Sequence, residues 1–363
     1  MSLRLCTASL AALLLTAGAA TAQDMKDFKT WFVACDNLRD CSAYGFDVTL
    51  EGDARSYLRI ERKGAATAPV TITISVDYGE AAGYTLAFDD AALPGLPKEA
   101  LTGEEGEGNE YRRTVLTAHA SADALIDSIR KAQKIVITLK PAEGKKIERP
   151  VSSISLSGAA AALLWIDDQQ KRIGTVTAMI KRGDKPASSI PPQPKPPVIV
   201  AAKPTKEKAP TKHPTALIKK GRALCSDDDT ESKLDEAYAL GGGKVLYGFT
   251  CPGSSGAYNF EYGFLVGPRA NPQSARAVSF RWPIKIAGFQ HDTPQEAITN
   301  PTFDEKTMTL SSFQKGRGIG DCGGEERWVW DGKIFRLAEL RMMSECRGVP
   351  LDDWPTLYRT QVK

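Results

Sequence analysis

The sequence predicts a mainly β protein of two domains, a decorated β-sandwich with two short helices and then a β-rich α+β domain. Three observations carry this. Runs of alternating β-branched and aromatic residues recur on both sides of one Pro/Lys-rich stretch, helix-like patterns are few and short, and the cysteines divide between the two sides. A mature length of 341 residues also suits two domains.

The first domain, residues 23–182, opens on a strand in which Trp31, Val33 and Cys35 share a face, ending at Asp36-Asn37. Tyr57–Arg62 and Val70–Val76 alternate in the same way, with β-branched residues dominant. Ser121 reads as the N-cap of a helix through about Gln133, whose apolar stripe is Leu125, Ile126 and Ile129. Lys134–Lys140 returns as a strand. Gly158 precedes the small apolar run Ala159–Ile166, a helix ending near Arg172, and Thr175–Lys181 is expected as a last strand.

Residues 183–220 form the linker. Ser188-Ser-Ile-Pro-Pro-Gln-Pro-Lys-Pro-Pro197 and Lys203–Pro210 lack backbone donors at each proline, so they favour extended polyproline II over sheet or helix. The stretch carries eight lysines against Asp184 and Glu207. A solvated tether, kept extended by its lysines, is favoured over a cationic spacer touching an anionic envelope surface.

The second domain, residues 221–363, is more aromatic. Tyr258, Phe260, Tyr262, Phe264 and Val266 occupy alternate positions of one expected strand, and Val278, Phe280 and Trp282 repeat the pattern. Trp328–Phe335 reads as a hairpin turning at Asp331-Gly332 in type I′ geometry. A short helix is expected near Glu231–Leu240.

The N-terminus reads as a cleavable signal, residues 1–22: Arg4, an apolar run from Leu5 to Ala20, and the small-x-small Ala20-Thr-Ala22. The run is too diluted by Thr, Gly and Ala for a retained span, which needs about 20 strongly apolar residues. Cys6 leaves with it. Export to the periplasm is therefore expected, and no other segment is long and apolar enough to span a membrane. Cys35, Cys41, Cys225, Cys251, Cys322 and Cys346 remain, an even number for an oxidising compartment. If bridges stay within domains, Cys35–Cys41 is forced. The other four allow three pairings, of which Cys225–Cys251 and Cys322–Cys346 are preferred. Zinc is the rival, but C-x-x-C is absent and the chain has three histidines.

Residues 23–182 hold 21 basic and 23 acidic side chains, and residues 221–363 hold 17 and 19. Neither domain has the basic excess of a nucleic-acid binder. The chain is expected to be a monomer.

Particular residues also carry a family likeness. Trp31-Phe-Val-Ala-Cys-Asp-Asn-Leu-Arg-Asp-Cys41, Ser155-Leu-Ser-Gly-Ala-Ala-Ala-Ala-Leu-Leu164 with Gln170 and Gly174-Thr175, and Lys315-Gly-Arg-Gly-Ile-Gly-Asp-Cys-Gly323 stand out. So do Trp328-Val-Trp-Asp-Gly332, Cys346-Arg-Gly348 and Trp354-Pro-Thr-Leu-Tyr-Arg-Thr360. Together they resemble domain-of-unknown-function family 1176, six-cysteine bacterial exported proteins without an assigned activity. The first domain resembles, more faintly, the invasion-associated locus B proteins. It shares an opening W-x-V-x-C and a late S-L-x-G before a small apolar helix, but lacks their second cysteine pair. That likeness implies an immunoglobulin-like β-sandwich and a periplasmic or surface role.

No catalytic constellation is convincing. Gly320-Asp-Cys-Gly-Gly324 mimics the nucleophile loop of chymotrypsin-like proteases with Cys for Ser, but a nucleophile there needs a nearby base. His119 belongs to the other domain, His213 to the linker, and His291 lies only 31 residues upstream. A half-cystine in a glycine-rich turn explains the motif. Asp227-Asp-Asp229 lacks the rest of a calcium loop. Glu104-Glu-Gly-Glu-Gly and Glu325-Glu326 are typical of exposed loops, and no phosphate-cradling fingerprint is present.

A non-enzymatic periplasmic protein is therefore expected, without cofactor or metal, that binds an envelope protein, glycan or peptide. The rivals are an envelope hydrolase using carboxylates not yet singled out and a structural spacer. The candidate binding residues are Trp328 and Trp330, which share a strand face, with Arg317, Asp321 and Arg327 near them in sequence. Placing the tryptophans in the core is favoured, and placing them outward as a platform is the alternative.

Overall fold

The computed structural model describes residues 24–47, 56–92, 95–96, 99–105, 111–225, 232–286 and 295–363. The expected signal peptide, Asp227–Asp229, His291 and most of the 104–108 acidic cluster lie outside them.

Strands β1 (Asp24–Phe28), β2 (Trp31–Cys35), β3 (Cys41–Phe46), β4 (Ser56–Arg62) and β5 (Val70–Asp77) follow one another antiparallel. After β6 (Ala81–Phe88) and β7 (Ala91–Ala92), the strands β8 (Glu104–Glu105) and β9 (Tyr111–Val115) return to complete this seven-stranded sheet in the order β1-β2-β3-β4-β5-β9-β8. A second sheet, β11-β10-β6-β7, includes β10 (Lys134–Pro141) and β11 (Val151–Ser155). Trp31, Val33, Leu58, Ile60, Ile72 and Ile74 from the first sheet share one apolar core with Tyr84, Leu86, Ile135 and Ile137 from the second.

Two helices close that core. Helix α1 (Ala122–Lys131) is capped by Ser121, whose hydroxyl accepts the Ala124 amide, and it buries Leu125, Ile126 and Ile129. Helix α2 (Ala159–Gln169) starts at Gly158, which has φ +103° and lies so close to Phe28 that a Cβ would meet its carbonyl oxygen at 1.8 Å. Both helices match the sequence expectation.

The Thr175–Lys181 strand does not form. This segment turns, with a single bridge between Thr175 and Lys185. The Asp167 carboxylate takes the amides of Met179 and Ile180 at 3.0 and 2.8 Å, so donors that could enter a ladder are satisfied by a side chain.

Ala187–Ser189 forms a short 3-10 turn, the prolines from Pro191 to Pro197 and from Pro204 to Pro210 lie in neither helix nor strand, and the 183–220 stretch is laid against folded chain. Proline cannot donate, yet its carbonyl accepts. Gln361 donates to Pro197 O at 2.8 Å, and β12 (Val198–Ile199) pairs in parallel with the C-terminal strand Gln361–Val362. Ala202 then donates to Trp330 O at 2.8 Å. Gln193 bonds Leu38 O and Asp40 Oδ1, both at 2.9 Å. Helix α3 (Thr215–Arg222) buries Leu217 against Val245, Tyr247 and Phe249.

Sheet three contains β13 (Lys233–Gly241), β14 (Lys244–Cys251), β15 (Glu261–Pro268), β16 (Arg276–Ala277) and β17 (Ala297–Thr299). Where a helix is expected near Glu231–Leu240, Lys233–Gly241 is a strand. Gly241, Gly242 and Gly243, all at positive φ, turn it into a hairpin with β14, and that pairing overrides local helix propensity. Sheet four is a meander of β18 (Thr302–Asp304), β19 (Thr309–Lys315), β20 (Gly323–Trp330), β21 (Phe335–Met343) and β22 (Thr356–Arg359), and β23 (Gln361–Val362) pairs with β12. Val278 and Phe280 are buried as expected, but only one bridge, Phe280 to Gln295, forms there.

The Trp328–Phe335 hairpin forms with its turn one residue later than expected. Gly332 has φ +90° and Lys333 is not at positive φ, so type I′ geometry, which needs both, is absent. Asp331 caps the turn instead, accepting the amides of Lys333 and Ile334 at 2.8 Å each.

The outer face of the first sheet is covered too. Phe32, Ala34, Tyr44, Phe46 and Tyr57 belong to the same apolar cluster as Trp328, Val349, Trp354, Leu357 and Tyr358. Three disulfides are present: Cys35–Cys41, Cys225–Cys251 and Cys322–Cys346.

Candidate functional site: a cleft over the Cys322–Cys346 bridge

The residues singled out as a binding platform do not form one. Trp328 and Trp330 are 0% and 2% exposed, with Trp328 edge-on to Phe280 at 5.1 Å and Trp330 against Phe335 at 5.2 Å. The outward platform is corrected by this burial. The strand is covered on both faces, since Val329 is also buried, against Ile199 of the linker and Ala338. Arg317 grips Asp321 with Nε at 2.7 Å and Nη2 at 2.6 Å, and Asp321 also accepts the Gly348 amide at 2.7 Å. Burial alone would push the Asp321 carboxyl up, but these bonds outweigh it and hold it below the ordinary range. Arg327 faces solvent and pairs with Glu339 at 3.2 Å. The protease-like loop is a disulfide-closed turn, with Cys322 bonded to Cys346.

A different arrangement stands beside that bridge. Strands β15, β17, β19, β20 and β21 wall a cleft of about 420 Å³. Ile298, Leu340, Met342 and Met343 supply apolar wall, Trp282 a ring, and Glu261 and Glu326 two carboxylates. Its glycine-rich side follows from close strand approach: at Gly323, φ +132°, a Cβ would lie 1.9 Å from Gln314 O.

Glu326 is the centre of this site. It sits opposite Ser312 in the β19–β20 ladder and is 8% exposed. Oε1 accepts from Trp282 Nε1 at 2.7 Å; Oε2 accepts from Trp328 Nε1 at 2.9 Å and Ser312 Oγ at 3.1 Å. Three of about four acceptor positions are therefore used. Burial pushes the Glu261 carboxyl above its ordinary value. Glu325-Glu326, expected as an exposed pair, has Glu326 buried instead. The sequence signal for this is phase: Glu326, Trp328 and Trp330 alternate, so Glu326 points with the tryptophans toward the interior.

Tyr258 and Phe260 also depart from expectation. They precede β15 and are 38% and 52% exposed, because Asn300 and Asn259 bind this segment to β19 before the strand begins.

A second cavity, about 280 Å³, lies where the first sheet meets the last strands. Most of its charges pair within it: Arg359 with Asp36 at 2.7 Å and with Asp40, Arg59 with Glu61 at 3.0 Å, and Lys63 with Asp40 at 3.2 Å. Mutual pairing suits a structural joint. Among the described residues, no group of three His, Cys, Asp or Glu could hold a metal ion, and no helix is long and apolar enough to cross a membrane.

Comparison with known proteins places the chain. It is 32% identical over 367 residues to "Uncharacterized protein YpfG" of Escherichia coli (strain K12), across 96% of this chain and 97% of that one. The structure of the invasion associated protein b from Bartonella henselae aligns over 40% of this chain and 98% of that chain, at 14% identity and TM-score 0.30. A family profile described as "Protein of unknown function (DUF1176)" matches residues 25–361, and the chain belongs to that family.

Proposed function

We propose that this protein is an exported, non-enzymatic binding protein of the bacterial envelope, and that the cleft over Cys322–Cys346 is where it binds. The single observation that carries this is the cleft itself: a concave site of ligand size whose apolar wall faces convergent polar groups, two carboxylates among them. The three disulfides and the signal-like N-terminus support an oxidising compartment outside the cytoplasm. A concave site also argues against a plain spacer.

The hydrolase reading keeps one observation in its favour, since Glu261 and Glu326 line one cleft and burial lifts the Glu261 carboxyl. It is disfavoured by the use Glu326 makes of its oxygens. A carboxylate accepting from two indoles and a hydroxyl keeps about one acceptor position, enough for a ligand's donor, but none of these partners is an acid or base that would relay a proton to or from it.

The test uses the whole disulfide-bonded chain and the small-molecule fraction of an envelope extract. Binding in the cleft shifts the Trp282 indole N–H resonance and raises the melting temperature. Ala297→Phe, which fills the cleft, abolishes both effects. A stabilising fraction that leaves the Trp282 signal unmoved would place the site elsewhere, and turnover of a bound compound would favour the hydrolase.

A further inference from the structure

We propose that the ligand of this cleft is a small molecule bearing a primary ammonium group on an apolar chain, the ammonium seated against Glu326 and Glu261. This rests on the reading of the cleft as a binding site and gives that site its chemistry.

The argument begins with an unbalanced charge. Glu326 is buried, and its three hydrogen-bond donors, Trp282, Trp328 and Ser312, are all neutral. Among the described residues no cation pairs with it. Neutral donors offset part of the cost of taking a carboxylate out of water, but they leave its field uncancelled.

The nearest cations in sequence are committed elsewhere. Lys315 lines the cleft too, but it is an odd number of residues from Ser312 on β19, its ammonium lies 5.7 Å from the Phe313 ring centroid, and it forms no ion pair with Glu261 or Glu326. Arg327 pairs with Glu339 at 3.2 Å. Arg341 is held between Glu339 at 2.6 Å and Glu325 at 3.7 Å. Arg317 grips Asp321.

The second carboxylate has the same character. Glu261 lines the same cleft, no cation pairs with it among the described residues, and burial pushes its carboxyl up. Two carboxylates in one partly desolvated cleft make an anion a poor occupant. A neutral polyol would leave their charge uncancelled and face the apolar wall of Ile298, Leu340, Met342 and Met343. An alkylammonium ion answers both features. Its head meets the carboxylates with Trp282 beside it as a cation–π partner, and its chain lies on methionine and leucine side chains.

The experiment titrates the full chain with three probes sharing one six-carbon body: hexylamine, hexanol and hexanoate. Binding is read by saturation-transfer NMR and by the Trp282 indole resonance. The expected result is hexylamine binding at least tenfold tighter than the other two, weakened by salt. Glu261→Gln, in the cleft wall, should cut hexylamine binding about tenfold and leave hexanol unchanged. Glu326→Gln should do the same where melting shows it folded, and Glu261→Gln decides the matter where it does not. Hexanol or hexanoate binding as tightly as hexylamine overturns the amine assignment while the cleft stands as a binding site. No probe shifting Trp282 overturns both.

Discussion

The two faces of the first sheet bury arginine in opposite ways. On the inner face Arg62, fully enclosed, donates Nη2 to Asp167 at 2.6 Å and Nε to Gln170 at 2.6 Å, while Arg172 donates to Gln170 and to the carbonyls of Ala65 and Ala66. On the outer face Arg59 and Arg113 converge on Asp353 at 2.6 and 2.9 Å, and Tyr44 donates to the Asp353 carbonyl at 2.6 Å. Burial wins inside: it holds Arg62 below its ordinary value in spite of Asp167. Outside, burial also opposes the charge of Arg59, but Glu61 and Asp353 outweigh it and raise its value. The inner cluster pins helix α2 to its own sheet. The outer cluster pins residues 351–353 of the C-terminal half to the first sheet, so one carboxylate holds two parts of the chain together.

Breaking the inner cluster should cost most. Asp167→Ala leaves Arg62 buried without its anion and frees two amides, and a loss of about 4–5 kcal/mol is expected by urea denaturation. Asp353→Ala should cost less, about 3 kcal/mol, because Arg113 is 34% exposed and Arg59 keeps Glu61. It should also change the shape of unfolding. The wild type is expected to melt in one transition, since Phe32, Tyr44 and Trp354 share a cluster, and Asp353→Ala is expected to split it in two. Two transitions already present in the wild type would mean that the apolar joint contributes little, and that the halves fold as the independent domains read from the sequence.

Why the outer joint escaped the sequence reading is itself physical. Trp31, Val33 and Cys35 were recognised as one face, and they do line the inner core. The intervening Phe32 and Ala34 are just as buried, and Trp31–Cys35 is a continuous apolar run, the pattern of a strand covered on both sides. The disulfide pairing followed from how the cysteines divide between the domains, and both helices of the first domain were legible because the Ser121 cap and the small apolar run after Gly158 are local. The strand Lys233–Gly241 was not, because only its partner Lys244–Cys251 makes it a strand. The cleft was legible only in part. Glu326 could be placed by its phase with Trp328, but Glu261 and Trp282 reach it through tertiary packing that no local pattern records.

Asp36 offers a smaller and pH-resolved test of the outer joint. Burial lifts its carboxyl to about 6, against the pull of Arg359. An unfolded aspartate titrates near about 3.9. Between about pH 4 and 6 the folded state therefore holds a proton that the unfolded state has released, and stability falls as pH rises through that window. The wild type should lose on the order of 2 kcal/mol across it relative to Asp36→Asn. Parallel stability–pH curves for the two proteins would show that Arg359 keeps Asp36 ionised throughout.

The smallest effect expected is at Arg327, and it calibrates the others. Arg327 and Glu339 are the same kinds of group as the buried pairs, at a similar 3.2 Å, but Arg327 is 45% exposed. Water screens such a pair, and ordering two long side chains offsets much of what remains, so exposed pairs contribute about 0.2–1 kcal/mol. Glu339 also keeps Arg341 at 2.6 Å when Arg327 is removed. Arg327→Ala should accordingly lower stability by about 0.5 kcal/mol and leave hexylamine binding unchanged, since its side chain is not part of the cleft wall. A loss near that of Asp353→Ala would mean that distance rather than burial sets the strength of these pairs. The contrast drawn between the two faces of the first sheet would then have to be argued from something other than solvent.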